Sequence, residues 1–166
     1  MPNSVIKNRE IQADDWQLIN DPQTGIEQLP SDGPVIVPLQ LWQTQREQLA
    51  QRADPVGIWL DSDQEPEIIA GDLNQLPLIA INFPIFTDGR GYSYARLLRE
   101  RYHFQGELRA IGDVTQDQLF YMRRCGFDSF VLKPGKEIDT AVNGLKTISQ
   151  TYQAATDEPQ PLFRRR

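Results

Sequence analysis

FPIFTDGRGYSYARLLRERYHFQGELRAIGDVTQDQLFYMRRCGFD, residues 83–128, is the stretch whose reading decides the fold. It holds seven arginines, at 90, 96, 99, 101, 109, 123 and 124, and glycines at 89, 91, 106, 112 and 126. With the apolar run LIAINF (78–83) just before it, the stretch reads as two successive strand–loop–helix units. LIAINF is continuous and apolar, as expected of a strand buried on both faces. A helix over 93–103 follows, with Ala95, Leu98 and Tyr102 at helical spacing. ELRAI (107–111) is the next strand. Thr115-Gln116-Asp117-Gln118 then has the pattern of a capping box, opening a helix over 116–125. Gly126 supplies a left-handed residue that ends this helix, and Phe127 can cover its last turn.

Working outward, the same alternation extends both ways. Upstream lie VIVPL (35–39), a helix over 41–52, VGIWL (56–60) and a short helix over about 65–74 with Pro66 in its first turn. Downstream lie SFVLK (129–133) and a last helix over roughly 137–153. Five βα units result. They predict an α/β fold of about five parallel strands alternating with helices, either flavodoxin-like or a partial (β/α) barrel, with right-handed crossovers. Residues 1–34 are irregular in pattern. Val5–Lys7 and Trp16–Ile19 are expected to form a small hairpin or arm that flanks the domain. Residues 35–153 are expected to be a single α/β domain, and 154–166 a flexible tail.

The chain of 166 residues can bury one core. No apolar run approaches the ~20 residues that span a bilayer, and MPNSVIKNRE lacks a signal pattern, so a cytoplasmic protein without membrane association is expected. Residues 1–88 carry 14 acidic against 4 basic side chains, and 89–166 carry 13 basic against 9 acidic. An acidic chain with a local arginine cluster suits a small anion rather than nucleic acid. One cysteine, Cys125, excludes an internal disulfide and any site built on several cysteines from this chain. It reads as a small buried hydrophobe or as a nucleophile close to Arg124.

Ligands of parallel α/β folds bind at the carboxyl ends of the strands. Asp61, Asp88, Arg90, Asp113 and Lys133 all follow strands and should share that rim. The loop Asp88-Gly89-Arg90-Gly91-Tyr92-Ser93 is the sharpest candidate. Its glycines allow close approach to a ligand, the helix start offers free N–H groups, and Arg90 has a planar fork matched to oxyanions. Alternatively, Asp88 and Gly89 make a turn and Ser93 caps the helix. Arg96, Arg99 and His103 share one helix face and Arg109 lies within a strand; with the loop, Arg96, Arg99 and Arg109 complete the anion-binding set. Glu107, two residues before Arg109, should be its ion-pair partner. Asp113 reads as a general base, a ligand for a hard metal, a partner for Arg90 or a helix-start residue; Lys133 would stabilise charge. No ligand spacing supports a metal site, and no phosphate-loop or dinucleotide fingerprint is present, so no cofactor can be read from the sequence.

The runs around Asp88-Gly89-Arg90, Ser93, Ala95-Arg96, Leu98-Arg99, Gly106 to Ala110, Gly112-Asp113-Val114, Asp117-Gln118 and Arg124 to Asp128 resemble a bacterial family, domain of unknown function 934. Its members are described as oxidoreductases involved in sulfite reduction. The resemblance implies a role beside the sulfite/nitrite reductase haemoprotein in assimilatory sulfite or sulfate reduction. The expected function is therefore an accessory protein binding a small oxyanion or that haemoprotein. The alternatives are an enzyme of isomerase or lyase type on a phosphorylated or carboxylated metabolite, with Asp113 as base, and a structural interaction module.

Overall fold

The computed structural model describes residues 3–85, 87–147, 155–161 and 164. In chain order the elements are β1 (Ser4–Lys7), β2 (Glu10–Ala13), β3 (Gln17–Leu18), β4 (Val35–Pro38), α1 (Leu39–Ala50), β5 (Val56–Leu60) and β6 (Leu78–Phe83). Then come α2 (Arg90–Arg96, prolonged by a π turn over Leu97–Arg101), β7 (Glu107–Gly112), α3 (Leu119–Cys125), β8 (Ser129–Phe130) and α4 (Ile138–Thr147). The predicted helix over 137–153 is described only as far as 147; the rest of it lies outside the described residues.

The eight strands form one curled sheet in the order β2-β1-β8-β7-β6-β5-β4-β3. From β3 to β8 every neighbouring pair is parallel and the spatial order follows the chain. This order selects the partial barrel over the flavodoxin-like arrangement. A doubly wound sheet reverses its strand order at a switch point. Here the order does not reverse, so successive right-handed crossovers send every helix to the same face. The sheet curls into a half-barrel, its helix-covered face packing Val37, Ile58, Ile79, Ile81, Leu108 and Ala110 against the helices. A smaller layer of Ile36, Trp59, Leu78, Ala80 and Ile111 lines the other face, where Trp16 and Leu18 of the N-terminal segment pack.

The N-terminal arm covers the sheet edge beyond β8. β1 pairs antiparallel with β8 and β2 with β1, joined by the two-residue turn Asn8-Arg9. Both turn residues have positive φ, 53° and 66°, as in a type I′ hairpin. β3 adds in parallel to β4, which places the Trp16–Ile19 segment at the other end of the sheet from the hairpin.

The strand expected over 129–133 is only Ser129–Phe130, and the helix expected over 93–103 begins at Arg90, with Gly89 at its cap, so Ser93 lies inside it rather than capping it. Two more elements differ in helix type. The helix over 65–74 is two short 3₁₀ turns, Pro66–Ile69 and Leu73–Gln75. Gly71 interrupts the run, and Asp72 accepts from Trp42 Nε1 at 3.1 Å and pairs with Arg46 at 2.9 Å. The second difference is at α3, where the capping pattern holds but the first turn is 3₁₀. The Gln118 amide oxygen accepts from Thr115 N–H at 3.1 Å, and Gln116–Gln118 leads into α3. α3 then ends as the sequence indicates. Gly126 has φ 121°, its N–H bonds Arg123 O at 3.0 Å, and Phe127 N–H reaches Met122 O at 3.2 Å, a Schellman ending.

Two glycines are fixed by geometry. Gly112 has φ 92°, and a Cβ there would collide with Asn82 Oδ1 and the Phe83 carbonyl. At Gly91 a Cβ would lie 2.6 Å from Phe83 Cζ and 3.0 Å from Ile81 Cγ2, so this glycine lets α2 approach β6. Gly112→Ala combines a left-handed backbone with a backbone collision and is expected to destabilise the fold by about 3 kcal/mol. Urea unfolding should show a lower midpoint with an unchanged slope; a midpoint equal to that of the wild type contradicts this geometry.

Candidate functional site

Because β5 to β8 are parallel, the segments following them meet at one edge. Asp61 Oδ1 accepts from Asn82 Nδ2 at 3.1 Å and from Ser62 N–H at 2.8 Å. Arg90 donates through Nε to Asp88 Oδ1 at 3.0 Å and through Nη2 to Asp88 Oδ2 at 2.7 Å and Ser62 Oγ at 2.9 Å. Tyr94 O–H donates to the Ser62 carbonyl at 2.6 Å, which ties α2 to the loop after β5. Asp113 N–H bonds the Phe83 carbonyl at 2.7 Å, and Asp113 Oδ1 lies 3.1 Å from Lys133 Nζ. The residues expected at the carboxyl rim therefore lie there, Asp88–Arg90 and Asp113–Lys133 as acid–base couples and Asp61 bonded to Asn82 and Ser62.

In the loop 88–93, Asp88 Oδ1 also accepts from the Arg90 N–H at 3.1 Å. The Asp88 carboxylate thus sits on the first N–H of α2 and on the Arg90 fork together. Hydrogen bonds from the Arg90 side chain and backbone hold its pKa well below the usual carboxylate range. Gly89 stands at the helix start with φ −87°. Gly91 packs inward against β6, Tyr92 meets Phe83 and Tyr121 in tilted ring contacts with centroids 5.2 and 4.9 Å apart, and Ser93 is exposed.

The other expected arginines are dispersed. Arg96 is exposed on α2. Arg99 faces the opposite edge of the sheet, where it donates to the carbonyls of Gly126 (3.0 Å), Phe104 (2.8 Å) and Gly106 (2.8 Å). Arg109, 2% exposed, lies on the face of the sheet away from the helices. Its Nη1 bonds both Asp14 oxygens at 3.0 Å, Nη2 bonds Glu107 Oε1 at 2.8 Å and Nε bonds Ser129 Oγ at 3.1 Å. Lys7 caps the cluster at 3.1 Å from Glu107 Oε2. The expected Glu107–Arg109 pair is present; the contribution of Asp14 from the arm has no signal in sequence spacing. Cys125 is fully buried, and no cluster of three or more His, Cys, Asp or Glu side chains suited to a metal ion occurs among the described residues.

At the amino-terminal edge of the sheet lies a cavity of about 780 Å³ that sequence reasoning missed. It is bounded by the Asn8-Arg9 turn, the segment after α2 from Arg99 to Gln105, the end of α3, and Ala155 to Pro159. Thr156 N–H bonds the Arg124 carbonyl at 3.1 Å and Asp157 pairs with Arg124 at 2.7 Å, which holds this last wall in place. The one sequence signal was an Asn-Arg turn between short alternating segments, a place where Asn-Gly is the commoner pair.

The molecule is thus a parallel α/β half-barrel with a polar rim of acid–base couples at the strands' carboxyl ends. The chain belongs to the family described as bacterial protein of unknown function (DUF934), whose profile matches residues 57–163. The chain matches no curated protein. No helix among the described residues is long and apolar enough to cross a membrane.

The Arg109 cluster yields a pH prediction. Burial alone would raise the Glu107 pKa; the charge and hydrogen bond of Arg109, with bonds from Ser129 and Lys7, instead bring it below its ordinary 4.5. A depressed carboxylate stabilises the fold above pH 4.5, and this contribution is lost as pH falls through the native value. Glu107→Gln should therefore be less stable than the wild type at pH 7, with the gap narrowing towards pH 3. Urea midpoints across that range check it, and parallel curves contradict it. Asp14→Ala takes the carboxylate from Arg109 Nη1 while Glu107 and Ser129 still hold Nη2 and Nε, and is expected to cost about 1–3 kcal/mol, read as a lower urea midpoint.

Proposed function

We propose that the protein is an accessory component of assimilatory sulfite and sulfate reduction. In this reading the carboxyl rim binds a small oxyanion, or the sulfite/nitrite reductase haemoprotein, through Arg90 and Lys133. One observation carries the reading. Arg90 and Lys133 have side chains 56% and 52% exposed on the same rim, and the carboxylates that hold them are only 11% and 17% exposed. The acids lie beneath and fix the cations, whose outer edges are left to solvent. A guanidinium oriented from behind in this way offers its remaining donors to an oxyanion with little ordering cost.

The pathway comes from the likeness of residues 83–128 to the family. The accessory role fits a chain whose single thiol is buried, since two-electron thiol chemistry needs two thiols or an exposed one. Proton abstraction by Asp113 is less well supported. That carboxylate is committed to an ammonium 3.1 Å away rather than turned towards open space for a substrate.

Calorimetric titration with sulfite, sulfate and phosphate tests the reading. The wild type should bind at least one of them at millimolar concentration or tighter. Loss of a charge-assisted contact of about 1.5–3 kcal/mol in Arg90→Ala should weaken binding at least tenfold. Lys133→Ala should weaken it by a smaller factor, because an ammonium lacks the planar fork. No binding by the wild type, with no capture of the haemoprotein, leaves the structural-module alternative.

A further inference from the structure

At the opposite edge of the sheet, the basal cavity is built from parts that local folding does not require. Its turn residues Asn8 and Arg9 and its mouth residue His103 are the only non-glycine residues with positive φ among the described residues. Asn tolerates this conformation readily; arginine does not, and glycine would be the cheapest residue at position 9. The chain instead places an arginine in the strained turn position that lines the cavity.

Arg123 lines the same cavity from the end of α3. Burial pushes its pKa down and so does the like charge of Arg9, while Asp157 opposes them. Neither Arg9 nor Arg123 has an ion-pair partner within 4 Å among the described residues. The acids of the cavity wall have hydrogen-bond or ion-pair partners other than Arg9 and Arg123, although Asp157 still favours the charge on Arg123. Asp128 accepts from Leu108 N–H at 2.8 Å and faces Arg99 at 3.5 Å, Asp157 holds Arg124, and Glu100 accepts from Thr156 O–H at 2.6 Å. Arg9 and Arg123 thus line one cavity, and neither has an ion-pair partner within 4 Å among the described residues. Phe104, Phe127, Phe130 and Leu145 line its apolar part.

We propose that this cavity is a binding site for an organic oxyanion ester, a phosphate or sulfate group carried on an apolar or planar body, with the oxyanion held between Arg9 and Arg123. The charge on the ligand relieves the repulsion between the two arginines. Its body fills the rest of a volume of about 780 Å³, most of which a bare sulfate or phosphate would leave to water. A cavity of about 780 Å³ has the size of an ordinary small-molecule site. The site lies on the other edge of the sheet from Arg90 and Lys133, so it is independent of the rim.

Calorimetry and thermal shift with phenyl phosphate, phenyl sulfate, adenosine monophosphate, adenosine and inorganic phosphate test the proposal. At least one ester should bind at sub-millimolar concentration and raise the melting temperature. Adenosine and inorganic phosphate should bind at least tenfold more weakly. Arg9→Gly should weaken the ester at least tenfold while leaving the melting temperature of the free protein equal to the wild type or higher, because glycine relieves the turn. Arg123→Gln should weaken it by a similar factor. The proposal is overturned if no ester binds at millimolar concentration. It is also overturned if both variants bind as the wild type does, or if Arg90→Ala abolishes binding and Arg9→Gly does not.

Discussion

The buried guanidinium of Arg109 is the constraint on which the arrangement of the molecule depends. A charge 2% exposed in a sheet cannot stand without compensation, and it takes its partners from three parts of the chain. Glu107 comes from its own strand, Ser129 from the neighbouring parallel strand and Asp14 from the arm. The cluster therefore specifies the β7–β8 register, in which Arg109 faces Ser129, and anchors the arm to the sheet. Lys7 adds a second tie from β1. With the hairpin fixed there, its turn projects past the start of β8, where Asn8 N–H meets the Asp128 carbonyl at 3.2 Å. The position of Arg9 in the basal cavity is a consequence of the charge buried at Arg109.

The same reckoning of charge separates the arginines of residues 83–128 by role. Arg109 is structural and fully committed. Arg99 is a clamp that satisfies three carbonyls around the start of β7 and the end of α3, groups that would otherwise lack donors. Arg124 holds the segment after α4 through Asp157. Arg90 is fixed by Asp88 yet half exposed, and Arg123 faces open volume. The two edges of one parallel sheet thus present cations differently. On the rim each cation is backed by a carboxylate, and the basal cavity is lined by two arginines without ion-pair partners among the described residues.

Much of this was legible in the sequence where local chemistry decides. VGIWL and LIAINF are strands at the predicted bounds, because a continuous apolar run between polar turns has few alternatives. Gly126 ends its helix as expected, since only a residue tolerant of positive φ completes that motif. The short helix over 65–74 was misread because the side chain of Asp72 is claimed by Trp42 and Arg46, contacts that no local pattern encodes. Of the two glycines in the loop 88–93, Gly91 serves helix–strand packing, which sequence cannot distinguish from approach to a ligand. Arg9 and Arg123 come to line one cavity through the β1–β8 pairing. Their juxtaposition, and the cavity between them, could be seen only in three dimensions.

The central claim is that Arg9 and Arg123, which line one cavity without ion-pair partners among the described residues, hold an anion separately from the carboxylate-backed rim. A crystal structure of the protein soaked in phenyl phosphate tests it most directly. The account predicts a phosphate within hydrogen-bonding distance of both Arg9 and Arg123, with its ring in the remaining volume of the cavity. An empty basal cavity at saturating ligand, with the two guanidiniums turned apart into solvent, would contradict it.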